Sequence, residues 1–410
     1  MRAKVDLDCP YFSRLITEAL EHFGIDVAAP DEETSWDLSE YERVDWDLVL
    51  RGKKRTCNFC TRKGLIRKAQ FAFLSRKYMS KRPTCALHKC VPPTFAIEVS
   101  DVDDLDEALY DVPEVASLAA ADKTVWIAKA SMTNQGKGIF LFDSRDSLEE
   151  QLRRHIEEGS DDEDSDDEDS RDMSMAERMA LAQARALLHR QWVLQQYIAD
   201  PMLIDGRKFH IRIYAVVVGN ARIFLCEDAL ALVSAEKYSE SDLENKAAHV
   251  TNTHLQMHSN NHANSANIES KCVYSLSRHF ADRPEFLQCI MAQMRQCTAE
   301  VFECVLHESH AYAPLPHCFE YYGLDFLVDR AGQVHFLEAN ATPDFAMTGT
   351  DLAHIPQQAV RLGVGAAVKL DAGAEDFDNE AELLQLLQDC KATEVLHHRS
   401  RLGMVNMTLT

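Results

Sequence analysis

Two separated stretches carry side chains that could do chemistry together. Residues 323–343 hold Asp325, Glu338 and Asn340, three hard oxygen donors of the kind that bind Mg²⁺ through carboxylates and substrate phosphates. Apolar patterns at 324–328 and 334–337 flank a turn at 329–332, which predicts a hairpin with the three donors near one end. Residues 195–212 hold Lys208, His210 and Arg212, alternating with Phe209, Ile211 and Ile213. Period two places the three polar groups on one face of a strand. Cations on one strand and carboxylates on another suggest a nucleoside triphosphate between them.

Other elements must hold these groups. Residues 125–129 read as a strand delivering Lys129. A loop containing Gly136 and Gly138 follows, and backbone N–H groups in such a loop can close over phosphates before the next strand, 139–142. A helix over 174–189 leads to a strand at 192–198. Residues 216–218 and 222–226 form a predicted hairpin about Gly219-Asn220. Helices near 283–308 precede the donor hairpin. Toward the start, apolar spacing predicts a helix over 11–23, a strand at 46–50 and helical pattern over 64–77 and 100–118. The segment 256–270 reads as a mobile loop, and the acidic tail beyond 373 holds one helix, 380–388.

Composition sets limits. The chain has 410 residues, 46% of them hydrophobic, which suits two or three domains with real cores. A formal charge of −23 argues against nucleic-acid or anionic-membrane binding unless basic residues are segregated. Residues 51–82 are such a segment, with twelve Lys and Arg and no acid, and would suit an acidic protein tail. Residues 161–169 contain eight acids and predict a disordered insertion over about 157–172. Serines 160, 165 and 170 among the acids could be phosphorylated. No signal peptide or membrane span is visible, and the twelve cysteines read as reduced cytosolic thiols. Cys57, Cys60, Cys85 and Cys90 admit a zinc reading or a buried-thiol reading.

Seven segments in order, 126–131, 135–139, 195–198, 207–212, 249–252, 325–329 and 336–340, resemble the tubulin-tyrosine-ligase family of the ATP-grasp fold. The resemblance runs from roughly residue 60 to about 365. It implies an α/β architecture with two lobes sandwiching ATP: a leading α/β domain at 1–66, a central lobe at 67–197, a C-terminal lobe at 198–372 and a tail at 373–410. It implies Mg²⁺ on Asp325, Glu338 and Asn340. Nucleotide contacts fall to Lys68, Lys129, Gly136, Gly138, Lys208, Thr251, Asn252 and Asp325, with adenine at the strand end Gln195, Gln196, Tyr197 and Ile198. Ile127, Leu194 and Leu327 are candidates to sandwich the base. Lys208, Arg212 and Glu338 are the candidate catalytic residues for activating a carboxylate as an acyl phosphate, which a free amino acid then attacks.

Two positions depart from the family pattern. His210 stands where the family has an aspartate near the incoming amino acid, and Leu232 where an arginine would hold a carboxylate. ATP handling is expected to be intact and the substrate altered. The leading expectation is a monomeric, cytoplasmic, cytoskeleton-associated ligase adding tyrosine to the acidic C-terminal tail of α-tubulin. Glutamylase or glycylase chemistry, a silent ATP-binding partner of tubulin and a small-molecule ligase remain alternatives.

Overall fold

The computed structural model describes residues 1–29, 32–131, 138–158, 190–251, 272–370 and 380–398. Gly136, Asn252, the acidic insertion from 159 onward, the expected helix 174–189 and the loop 256–270 lie outside them.

Three sheets organise the chain. The first is parallel, with β1 (Arg2–Asp6) between β2 (Asp26–Val27) and β3 (Trp36–Ser39). Its helix α1 (Pro10–His22) buries Phe12, Leu15, Ile16, Ala19 and Leu20 on one stripe. The second sheet is antiparallel, in the order β4 (Thr94–Glu98), β7 (Gln191–Gln196), β5 (Trp126–Ala130), β6 (Ile139–Phe142). Its apolar face rests on Leu105, Val115, Leu148 and Leu152, which gives the central lobe its own core.

The third sheet is built on β9 (Arg207–Val218), a twelve-residue strand buried almost throughout. One edge of β9 pairs with β13 (Phe319–Val328), which continues into β14 (Val334–Ala341). The other edge is shared by β11 (Leu230–Val233) and β10 (Arg222–Cys226). The two-residue strand β8 (Leu203–Ile204) pairs with the start of β9, and β12 (Val273–Ser275) lies outside β11. The helix Pro284–Leu306 covers one face of this sheet, and α1 with the helix His354–Lys369 covers the other. The leading segment therefore shares a core with the C-terminal lobe.

Local physics overrides several expectations. Residues 46–50 form a helix, α2 (Trp46–Leu50), instead of a strand, because the Asp45 side chain accepts from Leu48 N–H and caps the turn. The 64–77 pattern splits into α3 (Lys63–Ile66) and α4 (Lys68–Lys81), since Arg67 is extended, with φ −90° and ψ 118°. The acidic stretch 100–118 breaks into one 3₁₀ turn and two four-residue helices, the second started by Pro113. Beyond the expected tail helix, Glu380–Asp389, an unforeseen strand β15 (Ala392–His397) pairs antiparallel with β10.

The two cysteine pairs are not brought together. Cys57 is buried between α1, β3 and the large sheet, whereas Cys90 is buried against Cys297 on the opposite side of that sheet. Among the described residues, no group of three His, Cys, Asp or Glu is arranged to hold a metal, and no helix is long and apolar enough to cross a membrane.

Candidate active site

A cleft lies between the central lobe and the large sheet. From the central lobe, β5 contributes Ile127 and Lys129, and the end of β7 with its extension contributes Gln195, Gln196, Tyr197 and Ile198. From the large sheet come Lys208, His210 and Arg212 on β9, Asp325 and Leu327 on β13, and Glu338 and Asn340 on β14. Period two in β9 therefore does what the sequence implies.

The candidate metal ligands sit on alternate rungs of one ladder. Asp325 pairs with Glu338, and Gly323 with Asn340. The register then slips, so that Phe326 faces Phe336 and Leu337 is an extra residue. This bulge turns both Leu337 and Glu338 into the cleft, which strict alternation forbids. Gly323 allows close approach here: a Cβ there would lie 3.0 Å from Arg212 Cδ and from Pro343 Cβ, a tight contact that would press on the arginine. Its absence lets the Arg212 side chain lie flat across β13 and reach Asp325.

Arg212 grips Asp325 through Nε and Nη2, the latter donating to Oδ2 at 2.9 Å. Burial opposes the guanidinium charge, but Asp325 more than offsets it and the arginine stays cationic. Asn340 Nδ2 donates to Asp325 Oδ2 at 3.1 Å, so the amide oxygen is the atom that would face a metal. Burial alone would raise the Glu338 pKa; Lys68 at 3.5 Å, with Lys129 and Arg212, instead holds it down to about 2. Two carboxylates and an amide oxygen, with Glu338 fully ionised, fit Mg²⁺. A magnesium ion there would neutralise charge on nucleotide phosphate oxygens.

The two lysines are differently placed. Lys129 Nζ donates to Gln195 Oε1 at 2.9 Å, and Lys208 Nζ to Tyr197 Oη at 2.8 Å. Among the described residues neither forms an ion pair, and both are nearly inaccessible. Burial lowers both pKa values, and Lys208, with Lys129 nearby, falls to about 7. Buried cations without a paired counter-ion are costly unless an anion arrives, and a polyphosphate would be such an anion. Gln195 cannot rotate away, because its Nε2 donates to Thr94 Oγ1 at 2.9 Å while that hydroxyl donates to the Pro92 carbonyl.

Lys68 lies at the rim, bound to Glu338. Gly138 has φ +63° and its carbonyl accepts from Ala130 N–H, closing the β5–β6 hairpin. Thr251 Oγ1 meets His210 Nδ1 at 2.5 Å. Leu194 is displaced from its candidate role: it is fully buried in the central-lobe core, while Ile127 and Leu327 do line the cleft. Ile139, Val250 and Leu337 also line it and were not anticipated. Ile139 could have been found, since it opens the strand opposite Lys129; Leu337 could not, because only the bulge exposes it. Leu232 stands directly across the ladder from His210 and is almost inaccessible. The two departures from the family pattern are thus one cross-strand pair.

Comparison with known proteins agrees with this fold. The model of the tubulin-tyrosine ligase family matches residues 63–370. A probable tubulin–tyrosine ligase of Schizosaccharomyces pombe is 28% identical over 375 residues, covering 87% of this chain and 89% of that protein. A probable tubulin–tyrosine ligase of Saccharomyces cerevisiae, PBY1, is 31% identical across 77% of this chain but only 43% of its own length. A probable tubulin polyglutamylase of Mus musculus, TTLL9, is 26% identical across 55% of this chain and half of its own length. Among solved structures, the C-terminal domain of Pby1 from K. lactis is described as an ATP-grasp enzyme interacting with the mRNA decapping enzyme Dcp2. It superposes with a TM-score of 0.65 at 21% identity, covering 97% of this chain and 99% of that one. The chain has the ATP-grasp α/β fold, belongs to the tubulin-tyrosine ligase family and is an ATP-dependent ligase.

Proposed function

We propose that the protein joins an amino acid to the acidic C-terminal tail of a protein acceptor, with tyrosine on α-tubulin as the leading pair. The observation that carries this reading is the single cleft in which Lys129 and Lys208 face Asp325, Glu338 and Asn340 across Arg212. Lys129 and Lys208 would hold the phosphates, Asp325, Glu338 and Asn340 the Mg²⁺. Arg212 would stabilise the charge that builds on the γ-phosphate and then on the acyl-phosphate oxygens. Family membership and the two relatives named as probable tubulin–tyrosine ligases support the acceptor.

A second reading, the same chemistry on another nucleophile or tail, has its own support. His210 is held below its ordinary pKa mainly by burial, with Arg212 adding to the effect, so the imidazole is neutral, and Leu232 opposite carries no charge. An aspartate–arginine pair would contact both ends of a zwitterion; a histidine–leucine pair does not. The K. lactis neighbour, described by its interaction with Dcp2, supports looking beyond tubulin.

Intact-mass analysis of detyrosinated tubulin, incubated with the protein, Mg-ATP and all amino acids together, tests both. A gain of one tyrosine mass supports the first reading, and a different mass names another nucleophile. No gain, with ATP still bound, removes tubulin as acceptor.

A further inference from the structure

Lys208 donates to Tyr197 Oη at 2.8 Å, and its amine also sits 4.2 Å from the centre of that ring. The tyrosine hydroxyl has a second partner, His249 Nδ1, at 2.9 Å. The far side of the imidazole fixes its tautomer. Nε2 lies 2.8 Å from the Asp242 carbonyl oxygen, which can only accept, so Nε2 carries the hydrogen. Burial lowers the His249 pKa, so the ring is neutral and Nδ1 presents a lone pair. Tyr238, whose hydroxyl stands beside that of Tyr197, donates to the Ala199 carbonyl at 2.7 Å and offers only its oxygen.

The other two neighbours of the Tyr197 hydroxyl are therefore acceptors. The single Tyr197 proton must point away from Lys208, with His249 Nδ1 at 2.9 Å to receive it, and an oxygen lone pair must face the amine. Edge contacts hold the ring of His249 between Tyr197 and Tyr238, with centroids 5.7 and 5.3 Å away. This repeats the Lys129 arrangement, where Thr94 forces Gln195 to present its oxygen. In both cases a chain ending on a backbone carbonyl gives the lysine an acceptor of fixed direction, leaving its other N–H bonds for the cleft.

We propose that His249 is a positioning residue: acting through Tyr197, it fixes the Lys208 amine toward the phosphates of the bound nucleotide. The proposal rests on Lys208 as a phosphate contact and is independent of acceptor and amino acid. It is tested by calorimetric binding of Mg-ATP to the full chain without acceptor, with thermal melting of each variant as the folding control. Lys208→Met should weaken binding, and Tyr197→Phe should weaken it by about tenfold as a hydrogen bond to a charged group is lost. His249→Phe should weaken it by about as much, because the Tyr197 hydroxyl is then free to turn from the amine. Tyr197→Phe removes one oxygen and keeps the ring, so it reports even where His249→Phe melts early.

The decisive readout is the double variant. Tyr197→Phe with His249→Phe should bind no more weakly than either alone, because both cut the same chain. Multiplicative losses, or full affinity in His249→Phe, would show that His249 only packs, and overturn the proposal. Full affinity in Lys208→Met would overturn the phosphate assignment itself, a separate failure.

Discussion

Lys208 has a folded-state pKa of about 7 against an ordinary 10.5, through burial and the nearby Lys129. The unfolded chain therefore holds more protons between these values. The cost of burying the cation is fully present below pH 7, and the nucleotide-free protein should gain stability as the pH rises through that window. A bound triphosphate favours the charged amine, so nucleotide binding should take up protons there. Calorimetry near pH 8, in buffers of different ionisation enthalpy, should show uptake that Lys208→Met removes; identical uptake in parent and variant would contradict the assignment. Glu338 makes a different prediction. Glu338→Gln keeps the shape but loses the anion facing Lys68, Lys129 and Arg212, so ATP-dependent product formation should fall at least roughly a hundredfold with the fold intact. Activity equal to the parent's would contradict the catalytic role given to Glu338. Asp325, Lys208 and Arg212 were legible from spacing because strand alternation is local. His249 appeared only as part of a motif, since its role depends on a carbonyl and a tyrosine that folding brings together.

β9 was the most legible element because its buried, alternating run admits no other reading. Short segments were less so. Five residues at 46–50 suit a strand or a helix equally until Asp45 supplies a cap. β15 was hidden in an acidic tail with weak alternation, and only its partner explains it: β10 would otherwise present an open edge. The pairing is locked by Arg222, which donates from Nε and Nη2 to the two oxygens of Glu394 at 2.8 Å each. Ending the chain after Asp389 should therefore expose the β10 edge while leaving every cleft residue in place. The expected result is a lower melting temperature and concentration-dependent association in light scattering, with ATP affinity near the parent's. A monomer with unchanged melting would show that β15 is dispensable.

At the scale of the whole molecule, the charge distribution decides how an acidic tail would find the cleft. The segment 51–82 reads in the sequence as twelve free cations, but the fold spends several of them. Lys54 pairs with Asp37, Arg62 with Glu320, Lys68 with Glu338 and Lys77 with Glu308, while Arg55 donates to the carbonyl of Ala367. No local pattern announces this, because every one of these partners is distant in sequence. What remains for a partner is a smaller exposed set that includes Lys53, Lys63, Arg76 and Lys81. On a chain of net charge −23, these exposed cations attract an acidic peptide only at short range. Raising the ionic strength from about 0.05 to about 0.2 M should therefore increase KM for an acidic acceptor roughly threefold to tenfold. Over the same range kcat should change little, since the ion pairs inside the cleft are shielded from salt. Replacing Lys63 and Lys81 together by glutamine should flatten that dependence. If KM ignores both salt and these substitutions, the acceptor is not guided by these cations, and the search for its docking surface moves elsewhere on the molecule.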